Sequence, residues 1–342
     1  MDALERKLLN LIQGHFPIHT QPYRILGEVL GLSAEATFAK IQHLYDQGVI
    51  RRLGGVFDSR RLGYFSTLCT AKVPEEKIAA VAAYLEGISG VTHNYLRNHS
   101  YNMWFTLITP SQERAESILQ GIREAFAIEV FSLPALQVFK IQVDFDLADE
   151  ELANSESQEH TVREELPDSA DSFIPSVNSG ASSQGWFDTD LPLIRVLQRD
   201  LPHGLFPFRE LARQLDWSEA LVIKRTESML EGKVIRRFGA VLRHQKAGFL
   251  ANAMGVWQVE DALVQQVGEK MARFREVSHC YQRPTLPDWP YNLFTMIHGR
   301  NAEDCYQVMQ RIAQETGILL YDMLFSIAEL KKSSMEYFLE EE

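Results

Sequence analysis

Cysteine is scarce in this chain: Cys69, Cys280 and Cys305 are the only three in 342 residues. Odd in number, scattered and without CxxC spacing, they argue against a disulfide framework and a zinc site, and read as small buried thiols. Long hydrophobic runs are missing too. No apolar stretch reaches the roughly 18 residues of a membrane span, and the start, Met1-Asp2-Ala3-Leu4-Glu5-Arg6-Lys7, reads as an amphipathic helix rather than a secretory signal. A cytoplasmic protein with no membrane contact is expected. Positive charge is in deficit, 34 Lys and Arg against 46 Asp and Glu, for a formal net charge of -12. That balance repels phosphate backbones at long range, so nucleic-acid binding needs a local basic patch and a polyanionic ligand needs a pocket. What is present is ample material for a core: 45% hydrophobic and 23% charged residues, at a length that implies two or more domains.

The chain contains an internal duplication. "VIRRLGGVFDSRRLGY" (Val49–Tyr64) returns as "VIRRFGAVLRHQKAGF" (Val234–Phe249), "VTHNYLRN" (Val91–Asn98) as "VSHCYQRP" (Val277–Pro284), and "YNMWFTLI" as "YNLFTMIH". Between the copies runs "ADEELANSESQEHTVREELPDSADSFIPSVNSGASSQG", too polar to bury apolar area; it reads as a flexible acidic linker with a reach on the order of 35 Å.

Each half has helical apolar spacing in three segments: "ALERKLLNLIQGHF", "YRILGEVLG" and "SAEATFAKIQHLYDQG" in the first, "DLPLIRVLQRDL", "FRELARQLD" and "SEALVIKRTESMLEG" in the second. The third helices open on Ser33 and Ser218 as N-caps and end near Gly48 and Gly232 as C-caps. The VIRR segment then has the β-branched start and glycine corner of a hairpin, so that three helices and a hairpin make a winged helix-turn-helix. Strand and helix periodicities follow in the order βαββαβ, the ferredoxin-like split unit. The expected fold class is α+β: two tandem copies of a winged helix-turn-helix followed by a ferredoxin-like domain, sheets packed together. The expected boundaries are 1–62 and 63–147 for the first half, 148–185 for the linker, and 186–247 and 248–342 for the second half.

This order of domains resembles the Lrp/AsnC transcription regulators, and a tandem DNA-binding protein is the alternative function. The third helices argue against it. Recognition helices present Arg, Lys, Asn or Gln to bases and phosphates, whereas one third helix offers Lys40 against Glu35 and Asp46, and the other offers Lys224 and Arg225 against three glutamates.

The strands point elsewhere. His93, Tyr95 and Arg97 alternate in "THNYLR", as do His279, Tyr281 and Arg283 in "SHCYQR", and period 2 sends each triplet to one sheet face. The pairs Arg51-Arg52 and Arg236-Arg237 lie close in sequence to the junction of the subdomains. Guanidinium forks match carboxylates with two parallel hydrogen bonds, so these residues suit a ligand with many carboxylates. Tyr95, Tyr281, Trp104 and Trp289 suit a flat ring. Taken singly, each of these groups also fits an ordinary polar or packed position.

"VIRRLGGVFDSRRLGY", "VIRRFGAVLRHQKAGF" and above all "HCYQRPTLPDWPYNLFTMIHG" resemble the two subunits of the siroheme decarboxylase family, here fused, as in the two-part enzymes of the heme d1 and alternative heme pathways. The resemblance covers nearly all of the chain outside the linker, and the PDWPYNLF motif is specific. It implies removal of carbon dioxide from the C12 and C18 acetates of siroheme, giving 12,18-didecarboxysiroheme, in a cavity between the two subunit types. No added cofactor and no protein metal site are implied, because the iron tetrapyrrole is the substrate; no nucleic-acid partner is expected, and a homo-oligomer stays open. Protonating the methylene left by carbon dioxide calls for an acid near neutral pKa, and His244, His279 and Tyr281 are the candidate catalytic residues. His244, present in one copy only, makes the halves unequal, so the second half is expected to carry the chemistry. Arg51, Arg52, His93, Tyr95, Arg97, Arg236, Arg237, Arg243, Lys246, Arg283 and Trp289 are the candidate substrate-binding residues. His279 or His93 is the candidate axial ligand to the substrate iron. The insertion "PTLPDWP" is expected to form a rigid flap over or beside the ring.

Overall fold

The computed structural model describes residues 1–141, 186–243 and 251–339; the acidic linker, His244 and Lys246 lie outside them. In the first half, Asp2 and Glu5 close a capping box over α1 (Ala3–Gly14). Pro22 starts α2 (Pro22–Leu30) at a position that needs no donor, and the Ser33 hydroxyl accepts from Ala36 N to open α3 (Ala34–Asp46). β1 (Ile50–Phe57) follows, then β2 (Phe65–Ala71), α4 (Ile78–Glu86), β3 (Val91–Arg97), β4 (Met103–Thr109), α5 (Gln112–Phe126), and the consecutive strands β5 (Val130–Pro134) and β6 (Gln137–Ile141). The second half repeats this with α6 (Leu191–Leu197), α7 (Pro207–Leu215), α8 (Glu219–Glu231) capped by Ser218, β7 (Ile235–Leu242), β8 (Ala251–Trp257), α9 (Val264–Ala272), β9 (Val277–Gln282), β10 (Leu293–Gly299), α10 (Ala302–Thr316) and β11 (Tyr321–Lys332).

The VIRR segments do not fold back as hairpins within their own halves. β1 pairs antiparallel with β7, Gly54 opposite Gly239, so the two halves build one ribbon between them. The glycines mark a crossing rather than a corner. A Cβ at Gly54 would stand 2.5 Å from Arg199 O and 2.9 Å from Leu197 O, and one at Gly239 would stand 2.3 Å from Ile12 O and 2.6 Å from Gln13 O. Each strand therefore lies against the end of the other half's first helix at a distance only glycine permits. Leu8, Ile12, Ile41 and Leu53 share one core with Leu193, Leu197, Phe208 and Ile235, so the two helical units bury their apolar faces together.

The ferredoxin-like units interlock in the same reciprocal way. The large sheet runs β5-β2-β4-β3-β11-β8-β10-β9-β6, and each half supplies four consecutive strands in equivalent order. The last strand of each half is long: its start pairs at home (β5 with β2, β11 with β8) and its continuation crosses over (β6 to β9, β11 to β3). Because β5 and β6 follow one another, the two ends of the sheet meet and enclose an interior. One end of that interior is filled by Trp104, Trp289, Tyr101, Leu133, Met254, Phe294 and Leu324. The three cysteines are free and buried.

α8 ends on Gly232 as its C-cap. The residue after it, Lys233, is left-handed at φ +56°, at the position where the first half has Gly48 at φ +65°.

Candidate functional site

A β-bulge in each half shapes the site. On β3, Val91 faces Leu107 and His93 faces Thr106, leaving Thr92 unpaired; on β9, Val277 faces Ile297 and His279 faces Met296, leaving Ser278 unpaired. The extra residue turns its hydroxyl toward the neighbouring imidazole: Thr92 Oγ1 lies 3.0 Å from His93 Nδ1 and Ser278 Oγ lies 2.9 Å from His279 Nδ1. Past the bulge each triplet stacks along its strand as alternation predicts. His93 lies over Tyr95 at 6.4 Å and His279 over Tyr281 at 5.9 Å between ring centroids, and the guanidinium groups of Arg97 and Arg283 cover the same tyrosines at 5.5 and 4.7 Å.

Burial keeps the imidazoles neutral. Desolvation, reinforced by Lys332 and Arg51, pushes His93 down to about 4; desolvation, reinforced by His298, Arg236 and His93, pushes His279 down to about 3. His93 of the first half is among the groups whose charge lowers His279 of the second. Burial raises both tyrosines, with Glu329 adding to the effect at Tyr95.

Beside His93 lies a cavity of about 250 Å³ between the β1–β7 ribbon and the large sheet, lined by residues of both halves; His279, Tyr95 and Tyr281 lie outside its wall. Arg51, Arg52, Arg236, Arg237 and Lys332 are in its wall, and among the described residues no carboxylate is. The members of each arginine pair have different partners. Arg52 Nη1 donates to Gly55 O at 3.1 Å and to Arg199 O at 3.4 Å, while Arg237 Nη1 donates to Gln13 O and Ala240 O. These two cap carbonyls at the end of the opposite half's first helix, a structural use that the sequence did not suggest. Arg51 donates to Ser334 Oγ at 2.7 Å, and Arg236 is exposed in the cavity wall.

Other candidates lie elsewhere. Arg97 and Arg283 bridge the halves, donating to Leu324 O and Leu133 O respectively, and burial lowers both to about 10. Trp289 is 1% exposed, 5.2 Å from Trp104 between ring centroids in the apolar interior. The segment around it is no flap over the arginine cavity: Leu286 and Trp289 exchange backbone hydrogen bonds, and Asp288 is held by Lys72 and Tyr101. Arg243 is exposed at the end of β7, close enough to Arg51 to lower it.

The walls are unequal for reasons the sequence reading missed. Opposite Tyr95 and His93 stand Glu329 and Lys332, whereas opposite Tyr281 and His279 stand Val138 and Ile141. Ser333, Ser334 and Tyr337 close one side of the cavity, Tyr337 being tied to Gln198 by reciprocal hydrogen bonds. His298 on β10 reaches Ser278 where the first half has Ile108, a difference visible when "YNLFTMIH" is laid on "YNMWFTLI". Among the described residues no group of three or more His, Cys, Asp or Glu is placed to hold a metal ion, and no helix is long and apolar enough to cross a membrane.

Known proteins share the order of domains and the fold. The siroheme decarboxylase NirDL-like HTH domain matches residues 5–51 and 190–236, and the AsnC-like ligand binding domain matches 61–140 and 246–331. A siroheme decarboxylase of Hydrogenobacter thermophilus is 34% identical over 98% of this chain and 95% of its own. The siroheme decarboxylase alpha subunit of Nitratidesulfovibrio vulgaris is 52% identical over 42% of this chain and 82% of its own. The crystal structure of the siroheme decarboxylase NirDL superposes with a TM-score of 0.72 at 29% identity, covering 98% of this chain and 95% of that one, and another has been solved in co-complex with an iron-uroporphyrin III analogue. With its duplicated helical and ferredoxin-like units aligned along nearly the full length of such relatives, the chain belongs to the siroheme decarboxylase family.

Proposed function

We propose that this protein is a siroheme decarboxylase that takes carbon dioxide from the C12 and C18 acetate side chains and leaves methyl groups, giving 12,18-didecarboxysiroheme. The observation that carries this is the cavity itself: five cationic side chains and, among the described residues, no carboxylate in its wall, inside a protein of net charge -12, with the His93 imidazole in the same wall. A ligand with many carboxylates is attracted to that spot and repelled from most of the remaining surface. At about 250 Å³ the cavity is below the usual range for small-molecule sites, so a tetrapyrrole fills it and projects from its mouth.

When carbon dioxide leaves, the C–C bond pair stays on the ring-attached methylene and is delocalised into the macrocycle. A proton must then reach that carbon. Arg51 and Arg236 hold carboxylates of the substrate, one from each half, fixing the reacting acetate. Arg52 and Arg237 keep the ribbon in place. His279 delivers the proton, and Tyr281 shields its ring from water. Burial depresses the imidazoles most and the cationic neighbours add to it; bound carboxylates offset that second part, so substrate binding draws His93 and His279 upward and is accompanied by proton uptake. Iron and the electron sink both belong to the substrate, so no further cofactor is required.

The alternative, a DNA-binding regulator, is disfavoured by the partners of its would-be recognition helices. Lys40 is paired with Asp2, and Arg225 is held by both oxygens of Asp190. Anaerobic incubation with siroheme, followed by absorbance and mass spectrometry, tests the proposal: a bound-tetrapyrrole spectrum followed by loss of two carbon dioxide masses supports it. Salt-sensitive retardation of its own promoter DNA with no change in the siroheme overturns it in favour of a regulator.

A further inference from the structure

Ser278 Oγ has three neighbours within hydrogen-bond distance: His279 Nδ1 at 2.9 Å, His298 Nε2 at 2.9 Å and Met296 O at 3.3 Å. A hydroxyl has one proton to give and can accept others. If His298 Nε2–H donates to Ser278, the serine proton is free to go to the nearer of its two acceptors, His279 Nδ1. His279 then carries its own hydrogen on Nε2, the nitrogen not held by the serine. The first half lacks this arrangement: Thr92 reaches His93 at 3.0 Å, and Ile108 occupies the place of the second imidazole. Which ring nitrogen of a histidine is protonated depends on the bond made by the other, and a wrong tautomer disables an otherwise intact site.

We propose that His298 is a positioning residue: through the bulge hydroxyl of Ser278 it fixes the ring plane of His279 and, in the neutral resting state, its tautomer; when substrate binding adds a proton at Nδ1, the serine accepts from both imidazoles and donates to Met296 O, and the Nε2 proton of His279 is the one given to the substrate, making the second half the side that protonates it. This inference rests on the decarboxylase function proposed above. Burial, with Lys332 and Arg97 adding to it, pushes His298 itself down to about 4, which leaves it neutral and suited to donating one N–H without competing for the substrate's charge. The inequality of the halves thus lies in an imidazole in place of an isoleucine, inside the sheet, at a position distinct from the extra histidine at residue 244.

The test uses the full chain and siroheme, with single-turnover kinetics and an absorbance titration for each variant. His298→Ile copies the first half and is expected to lower kcat by about 100-fold while KM stays within about threefold. Ser278→Ala removes the bridge without touching His298 and is expected to give the same loss, with the double variant no worse than either single one. His298→Gln places an N–H donor near the lost Nε2 and is expected to recover most of the rate. Wild-type kcat in His298→Ile, a loss confined to KM, or a His298→Gln enzyme as slow as His298→Ile overturns the proposal. Nitrogen NMR of labelled histidine reads the tautomer without turnover: His279 is expected as Nε2–H in the wild type and to lose that preference in His298→Ile. Should the wild type release no carbon dioxide, the proposed function fails, while this spectrum still decides the hydrogen-bond claim.

Discussion

Single residues in the cavity wall act through charge, and their removal should be felt in binding before catalysis. Arg51→Ala and Arg236→Ala each withdraw a guanidinium from substrate carboxylates, and charge-assisted hydrogen bonds contribute about 1.5–3 kcal/mol. A KM raised roughly 10- to 100-fold is expected by steady-state kinetics; an unchanged KM contradicts the assignment. Arg52→Ala and Arg237→Ala should instead lower stability, because those side chains cap helix ends. The neutral histidines make stability depend on pH. Their folded pKa values, about 4 for His93 and His298 and about 3 for His279, lie below the ordinary value near 6.5. The unfolded chain therefore takes up protons that the folded one refuses. Stability falls as pH drops from about 6.5 toward 4, by at most about 1.4 kcal/mol per pH unit for each histidine. Denaturant unfolding at several pH values checks this, and a flat profile across that window contradicts it. At this scale the sequence was informative about which residues meet: alternation placed His93 with Tyr95 and His279 with Tyr281 on one face each. It could not separate Arg51 from Arg52, because one of the two carbonyls that hold Arg52, Arg199 O, lies just past the first helix of the other half, far away in sequence.

Secondary elements show where local signals hold and where they fail. Ser33 and Ser218 cap as their positions suggest, since an N-cap needs only the next three residues. The glycines of the VIRR segments were misread as turn residues, because their true neighbours, Arg199 O and Ile12 O, are far away in sequence. Gly239→Ala is expected to cost about 3 kcal/mol, since the strand must retreat from the helix end. Lys233→Gly relieves a left-handed backbone at the site equivalent to Gly48 and should stabilise by about 1 kcal/mol. Thermal unfolding of the two variants should move in opposite directions; a stabilised Gly239→Ala protein contradicts the crossing geometry.

At the scale of the whole molecule, the halves are interlocked rather than adjacent. They share a ribbon, a helical core and strands that cross over at β3–β11 and β6–β9. Duplication and fold class were legible because apolar periodicity repeats, and the family because its motifs stand in order. The crossing strands were not, because β6 and the end of β11 look like simple continuations of home strands. Calorimetry should show one cooperative transition, whereas two separated transitions would indicate halves that unfold independently. On the proposed function, enclosure by two unequal halves turns a regulator-like architecture into a site for a polyanionic ring, and the most direct measurement of it is a crystal structure with siroheme bound under anaerobic conditions. The macrocycle is expected between the β1–β7 ribbon and the large sheet, with carboxylates on Arg51 and Arg236 and an acetate methylene facing His279. Tetrapyrrole density on the outer surface, away from those three side chains, would contradict it.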